Sequence, residues 1–229
     1  MPKEITLYHG SNQIISAPAL GKGKPNNDYG QGFYCTAHFD LACEWASKDE
    51  EARGYANEYS LDLSGLRILD LSEPQYNILN WITLLIQNRT FVSTSAISEQ
   101  AKQYLTAHFS LDISEYDVIK GYRADDSYFS FARDFINNAI SVQQLALAMK
   151  LGKLGVQYML RTEQAFENLS FLEAHEVDPA VYRARYLNRD LKARNDYKKS
   201  RADLSLDSDD LYILDIIRGG IKHGDPRLQ

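Results

Sequence analysis

Apolar and polar positions along the chain follow two periods. Alternation or strand composition marks Pro2–His9, Phe33–Thr36, Tyr55–Leu63, Arg67–Leu71, Tyr116–Lys120, Val156–Leu160 and Ser170–Val177 as short strands. Tyr55–Leu63 is the clearest, with Tyr55, Asn57, Tyr59, Leu61 and Leu63 on one face. Helical spacing appears over Asp40–Lys48, where Phe39, Ala42, Cys43 and Ala46 recur and Thr36 is a plausible N-cap. It appears again over Tyr76–Asn88, with Ile78, Leu79, Ile82, Leu85 and Ile86 inward, and over Glu99–Phe109, Tyr128–Asn138 and Ser141–Leu151. Thr162 caps a short turn, Glu163–Asn168. After the last strand, Pro179–Arg201 reads as a charged helix, and Leu211–Ile217 as a short apolar one stopped by Gly219-Gly220. Ile14–Asn27, with Pro18, Gly21, Gly23 and Pro25, fits neither period and reads as a surface loop over a site.

Composition narrows the class. At 229 residues and 44% hydrophobic, the chain can bury a real core as one domain with an appendage, or as two small domains. Its longest apolar stretches, such as Ile82–Ile86, are too short to span a bilayer. No charged-then-apolar signal segment opens it, so a cytoplasmic location is the default expectation. Cys35 and Cys43 have no metal-ligand spacing and read as reduced thiols. The net charge of −6 argues against a broad nucleic-acid footprint, but its distribution is uneven. Arg183, Arg185, Arg189, Lys192, Arg194, Lys198, Lys199 and Arg201 crowd one stretch, with Tyr182, Tyr186 and Tyr197 among them; Asp203–Asp215 is acidic. Such a run is either a solvated helix face or a contact for phosphates and bases.

The chemistry concentrates near the front. Leu7-Tyr8-His9-Gly10-Ser11 is followed by Asp28-Tyr29-Gly30-Gln31-Gly32-Phe33-Tyr34-Cys35-Thr36. Each piece alone reads as a glycine-rich turn. Together they deliver an imidazole and a phenol beside glycines, which suggests a cleft where backbone approaches a ligand closely.

These two pieces resemble the NAD-binding half of the ADP-ribosyltransferases, in the diphtheria-toxin-like and poly-ADP-ribose-polymerase-like branch. That branch carries His-Gly-(Ser/Thr), a Gly-x-Gly-aromatic-Tyr strand and a late Glu. Nearly the whole chain is also similar to a bacterial family first catalogued as a domain of unknown function. The shared features are Gly121-Tyr122-Arg123-Ala124-Asp125-Asp126, Gln157-Tyr158-Met159-Leu160 and Gly224-Asp225-Pro226-Arg227-Leu228.

The resemblance implies an α+β fold, with two packed and mostly antiparallel sheets split around an NAD cleft. The expected catalytic domain is residues 1–177, with a largely helical insertion at 74–150, and a helical appendage follows at 178–229. NAD is the implied substrate, with no metal. His9 and Ser11 would bond the NAD riboses, and Gly10 backbone would clamp the nicotinamide amide. Tyr34 would stack one face of the nicotinamide, and Trp45 the other unless it is a core tryptophan.

Breaking the ribose–nicotinamide bond passes through an oxocarbenium-like state that needs positioning and negative charge. Where the branch has Glu, this chain has Gln157, which can position a hydroxyl but brings no charge. Three readings follow: Gln157 suffices with charge from elsewhere, Asp125 or Asp126 supplies it (Asp126 is preferred, Glu163 is weaker), or the domain binds NAD without transfer. The implied activity is an ADP-ribosyltransferase acting on a protein or nucleic-acid acceptor. By resemblance it would be the toxin of a toxin–antitoxin or phage-defence system, with an antitoxin partner and no membrane. A silent NAD- or ADP-ribose-binding module and an NAD glycohydrolase are the alternatives.

Overall fold

In the computed structural model, which describes residues 3–48, 53–91, 93, 95–124, 126–150, 155–203 and 210–228, two neighbouring strands barely touch. These are β1 (Glu4–Ser11) and β2 (Phe33–Thr36), which pair antiparallel only at Tyr8↔Thr36. On its other edge β1 pairs continuously with β3 (Gly54–Asp62), from Glu4↔Asp62 to Ser11↔Tyr55. β3 in turn pairs with the edge strand β7 (Leu169–Val177). β2 pairs with β6 (Val156–Leu160), β6 with β5 (Val118–Tyr122), and β5, in parallel, with β4 (Ile68–Asp70). The order is β4-β5-β6-β2-β1-β3-β7. The expected two sheets are therefore one mixed seven-stranded sheet among the described residues, nearly divided where β1 and β2 diverge.

Side chains alternate across each strand, so one sheet face carries Leu7, Cys35, Leu61, Val118 and Leu160 under the short α6 (Glu163–Glu167). The opposite face is covered by two separate blocks. Over β1 and β3 lies α1 (Phe39–Ala46), packing Ala42, Cys43 and Ala46 on Tyr8 and Ala56. Over β4, β5 and β6 lie α2 (Ile78–Asn88), α3 (Ala96–Phe109), α4 (Asp126–Ile136) and α5 (Val142–Ala148), whose apolar stripes bury Trp81, Phe109, Phe131 and Phe135. The cleft opens between the blocks, above the divergence of β1 and β2.

Helix starts follow local chemistry. Asn77, Ser95 and Ser141 each close a capping box at α2, α3 and α5. Thr162 Oγ1 accepts from Ala165 N–H at 3.3 Å, as its sequence position predicts. Thr36 does not cap α1: the N-cap is His38, whose N–H donates to Thr36 Oγ1 at 3.2 Å. Thr36 instead stays in β2, held by its pairing with Tyr8 and Gln157.

The C-terminal segment, expected as an appendage because it follows the last strand, packs onto the rest of the chain. α7 (Pro179–Asp203) lies across both blocks, and α8 (Ile213–Arg218) sets Ile213 and Ile216 into the main core. Near the middle of α7, Arg189 Nε donates to Glu44 Oε2 of α1 at 2.9 Å. Further along, Tyr197 donates to Asp134 of α4 at 2.8 Å and its ring packs on Phe131. No described helix is long and apolar enough to cross a membrane.

The Glu44–Arg189 pair is 7% and 14% exposed, so removing one partner strands a desolvated charge. Glu44→Ala should cost about 3–5 kcal/mol. The double variant Glu44→Ala/Arg189→Met should recover much of that loss. Urea-unfolding midpoints of the wild type and these two variants check both statements.

Candidate functional site

The site is built where β1 leaves β2. Beyond Tyr8, the backbone of His9, Gly10 and Ser11 stays with β3 while β2 turns away. One side chain spans the gap: His9 Nδ1 lies 2.6 Å from the Tyr34 carbonyl oxygen, with the imidazole stacked on Phe33 at 4.5 Å. A carbonyl can only accept, so Nδ1 carries the proton and Nε2 is left as an acceptor in the neutral ring. Burial lowers the His9 pKa from its ordinary value, partly opposed by the bond to Tyr34. The imidazole is neutral near pH 7.

The pleat sends Tyr34 and Gln157 to the face that carries the helices, where α1 brings Trp45. His9, Gly10, Ser11, Tyr34, Trp45 and Gln157 thereby line one cavity of 510 Å³. The lining also includes Lys24, Lys48, Arg89 and Arg123 against Asp28, a net cationic set suited to an anionic ligand. The Tyr34 ring is fixed from behind, because its hydroxyl donates to Gly30 O at 2.7 Å and accepts from Tyr29 N–H at 3.0 Å. Gly30 adopts φ +89°, which lets the loop curl back to that hydroxyl. Burial also raises the Tyr34 pKa, so the phenol stays protonated.

Two predicted residues have more specific roles than sequence gives them. A Cβ on Gly10 would meet Ala42 O at 2.0 Å and Trp45 Cβ at 2.7 Å. Glycine is thus required there by the close approach of α1, which seats Trp45. One face of Trp45 is taken by the Arg123 guanidinium, 4.3 Å from the ring centroid, so a ligand ring has only the other face. The indole N–H of Trp45 is buried without an acceptor among the described residues.

Gln157 does not stand alone. Its Nε2 donates to Asp28 Oδ2 at 2.7 Å and to Tyr122 O at 3.3 Å. Both partners accept, which fixes the amide orientation and leaves its oxygen bonded to neither, on a side chain that lines the cavity. Asp28 is 4% exposed and also accepts from Ala124 N–H at 2.8 Å. Arg89 Nε sits 2.8 Å from Asp28 Oδ1, bent too far for a hydrogen bond, so that contact is ionic. Burial raises the Asp28 pKa; Arg89, the Ala124 N–H, the Gln157 amide and Arg123 oppose that rise without cancelling it. Asp28 is thus a buried carboxylate bonded to Gln157, and sequence reasoning did not single it out although it heads the glycine motif.

The described residues of the Gly-Tyr-Arg-Ala-Asp-Asp turn contribute through Gly121, Arg123 and Ala124. Gly121 leaves room for the Tyr29 hydroxyl, which a Cβ would meet at 2.4 Å. Arg123 covers Trp45, and Ala124 bonds Asp28. Asp125 lies outside the described residues, as does the side chain of Asp126, whose backbone opens α4. Glu163 is exposed on α6 and does not line the cavity. Asp225 and Arg227 form a surface ion pair at 2.6 Å, also off the cavity. Among the described residues, the metal-type donors that cluster are Glu58, Glu173 and His175. None of them lines the cavity, and His175 Nε2 already meets Glu58 at 2.7 Å.

The chain belongs to the family described as Protein of unknown function (DUF3990), whose model matches residues 5–171. The match takes in every cavity residue named above and stops before α7 and α8. No curated protein matches the chain, and no solved structure does.

Two outcomes follow from the junction. Because the folded His9 pKa is lowered, the unfolded chain takes up that proton first as pH falls. His9's contribution is whole above about pH 6.5 and declines below it. Urea midpoints between pH 5 and 8 should fall more steeply on the acid side for the wild type than for His9→Gln. Separately, Gly10→Ala should lose about 1–3 kcal/mol through overpacking against α1, read from the same unfolding measurement.

Proposed function

We propose that this member of the DUF3990 family is an NAD-dependent ADP-ribosyltransferase. The observation that carries the reading is convergence: His9, Gly10, Ser11, Tyr34, Trp45 and Gln157, chosen from the sequence by resemblance, line one cavity although β1, β2, α1 and β6 supply them separately.

On this reading each group has a task its geometry permits. His9 Nε2 and Ser11 Oγ take ribose hydroxyls. Tyr34 and the open face of Trp45 hold the nicotinamide ring. Lys24 and Lys48, in the lining, face the diphosphate. The ribose–nicotinamide C–N bond breaks with its electron pair leaving on nicotinamide. A nucleophile of the acceptor then bonds to the ribose carbon and gives up its proton. The acceptor is a protein side chain or a nucleic acid. α7 weakens the nucleic-acid case, because Arg185 and Arg189 pair with Asp40 and Glu44 of α1, and Arg194 with Asp190. The role as toxin of a toxin–antitoxin or phage-defence system, with an antitoxin partner, is part of the same proposal and rests on the resemblance.

A second reading, the silent binding module, draws on Gln157 standing where the branch has Glu. One experiment separates the two. Incubated with NAD labelled in the adenylate and a bacterial lysate, the protein should label a macromolecule, and His9→Ala should reduce that labelling by about 100-fold or more. Protease- or nuclease-sensitivity of the label then identifies the acceptor class. Bound, intact NAD with no labelled product would select the silent module. NAD loss without label would select the glycohydrolase.

A further inference from the structure

We propose that Asp28 is a positioning residue that lends its negative charge to the reaction through Gln157, so that the two side chains together replace a single glutamate. The inference rests on the ADP-ribosyltransferase reading and adds the origin of its missing charge.

The argument starts from the amide. Gln157 Nε2 is held by Asp28 Oδ2 at 2.7 Å and by Tyr122 O at 3.3 Å. An amide donating to a carboxylate is polarised, and its oxygen becomes a stronger acceptor. That oxygen belongs to a side chain lining the cavity. A ribose hydroxyl bonded to it would be coupled to the carboxylate one residue behind. As positive charge develops on the sugar, the carboxylate stabilises it in a site that is 4% exposed at Asp28, where screening by water is weak.

The surroundings keep the carboxylate in place. Arg89 faces Oδ1 at 2.8 Å from the end of α2, and Ala124 N–H faces Oδ2 at 2.8 Å. The other titratable groups that act on it are Arg123, Tyr29 and Tyr34. Both tyrosines are protonated, so the two guanidiniums are its only charged neighbours among these groups. Tyr122 O also accepts from Trp81 Nε1 at 3.0 Å and from the Tyr29 hydroxyl, which anchors the second acceptor of the amide. Direct contact between Asp28 and substrate is not required, since Gln157 stands between it and the cavity.

The test separates charge from shape. Asp28→Asn keeps the size and can still accept from Gln157 and Ala124. It should bind NAD within about threefold of the wild type by calorimetry, while kcat for transfer falls about 100-fold. Adding Gln157→Glu to Asp28→Asn moves the carboxylate forward to the substrate and should restore kcat to within about tenfold of the wild type. Gln157→Glu alone sets two carboxylates side by side, so its thermal midpoint should drop as pH rises from 5 to 8, and the double variant should not show that drop. An active wild type whose Asp28→Asn variant keeps kcat within threefold would overturn the Asp28 inference alone. A wild type that neither cleaves nor transfers NAD would overturn both readings.

Should Asp28→Asn fail to fold, Arg89→Gln replaces it. Loss of that guanidinium raises the Asp28 pKa, so the acid limb of the kcat–pH profile should move to higher pH. An unmoved limb would overturn the inference.

Discussion

A carboxylate taken out of water must be matched, and Asp28 is matched by parts of the chain that have no other reason to meet. Arg89 comes from the end of α2, Ala124 from the turn after β5, and Gln157 from β6. Leaving any of them out strands a buried polar group at a cost of about 1–3 kcal/mol, and more for a charge. The knot therefore ties the glycine loop to the helical block. Tyr29 and Tyr34 are positioned by the same loop, one bonding Tyr122 O and the other bonding Gly30 O.

The sheet supplies the complementary constraint. Continuous pairing of β1 with β2 would fill the space now lined by His9, Tyr34 and Gln157. The strands meet only at Tyr8↔Thr36, and the His9 ring then bridges to the Tyr34 carbonyl. The opening is held on one side by α1 pressed against Gly10 and on the other by the Asp28 knot. Both walls are rigid because each is packed into its own core.

Local patterns in the sequence carried most of the elements. β6 was legible to the residue, because Val156–Leu160 is an apolar run entered through Gly155, which adopts φ +66°. The helix of the Phe39–Ala46 region was legible from its spacing, but its cap was not, because Thr36 is committed to a ladder set by distant strands. One sheet in place of two is likewise a matter of long-range register. Asp28 looked like a loop residue, since its burial depends on residues 61 and more positions away. Arg89 carried no signal at all; it reads as a polar residue ending a helix. The charges of α7 read as a solvated face because their partners Asp40 and Glu44 lie on α1.

The position of α7 bears on the width of the opening. It crosses from α1 to α4, touching Glu44 through Arg189 near its middle and Asp134 through Tyr197 toward its C-terminal end, and so acts as a brace between the two walls. Yet it lies beyond residue 171, outside the residues that the family model matches. The gauge of the opening is thus written in a different segment from the residues that line it. Lengthening or shortening this brace would change the size of what enters, while the groups that line the opening stay where they are.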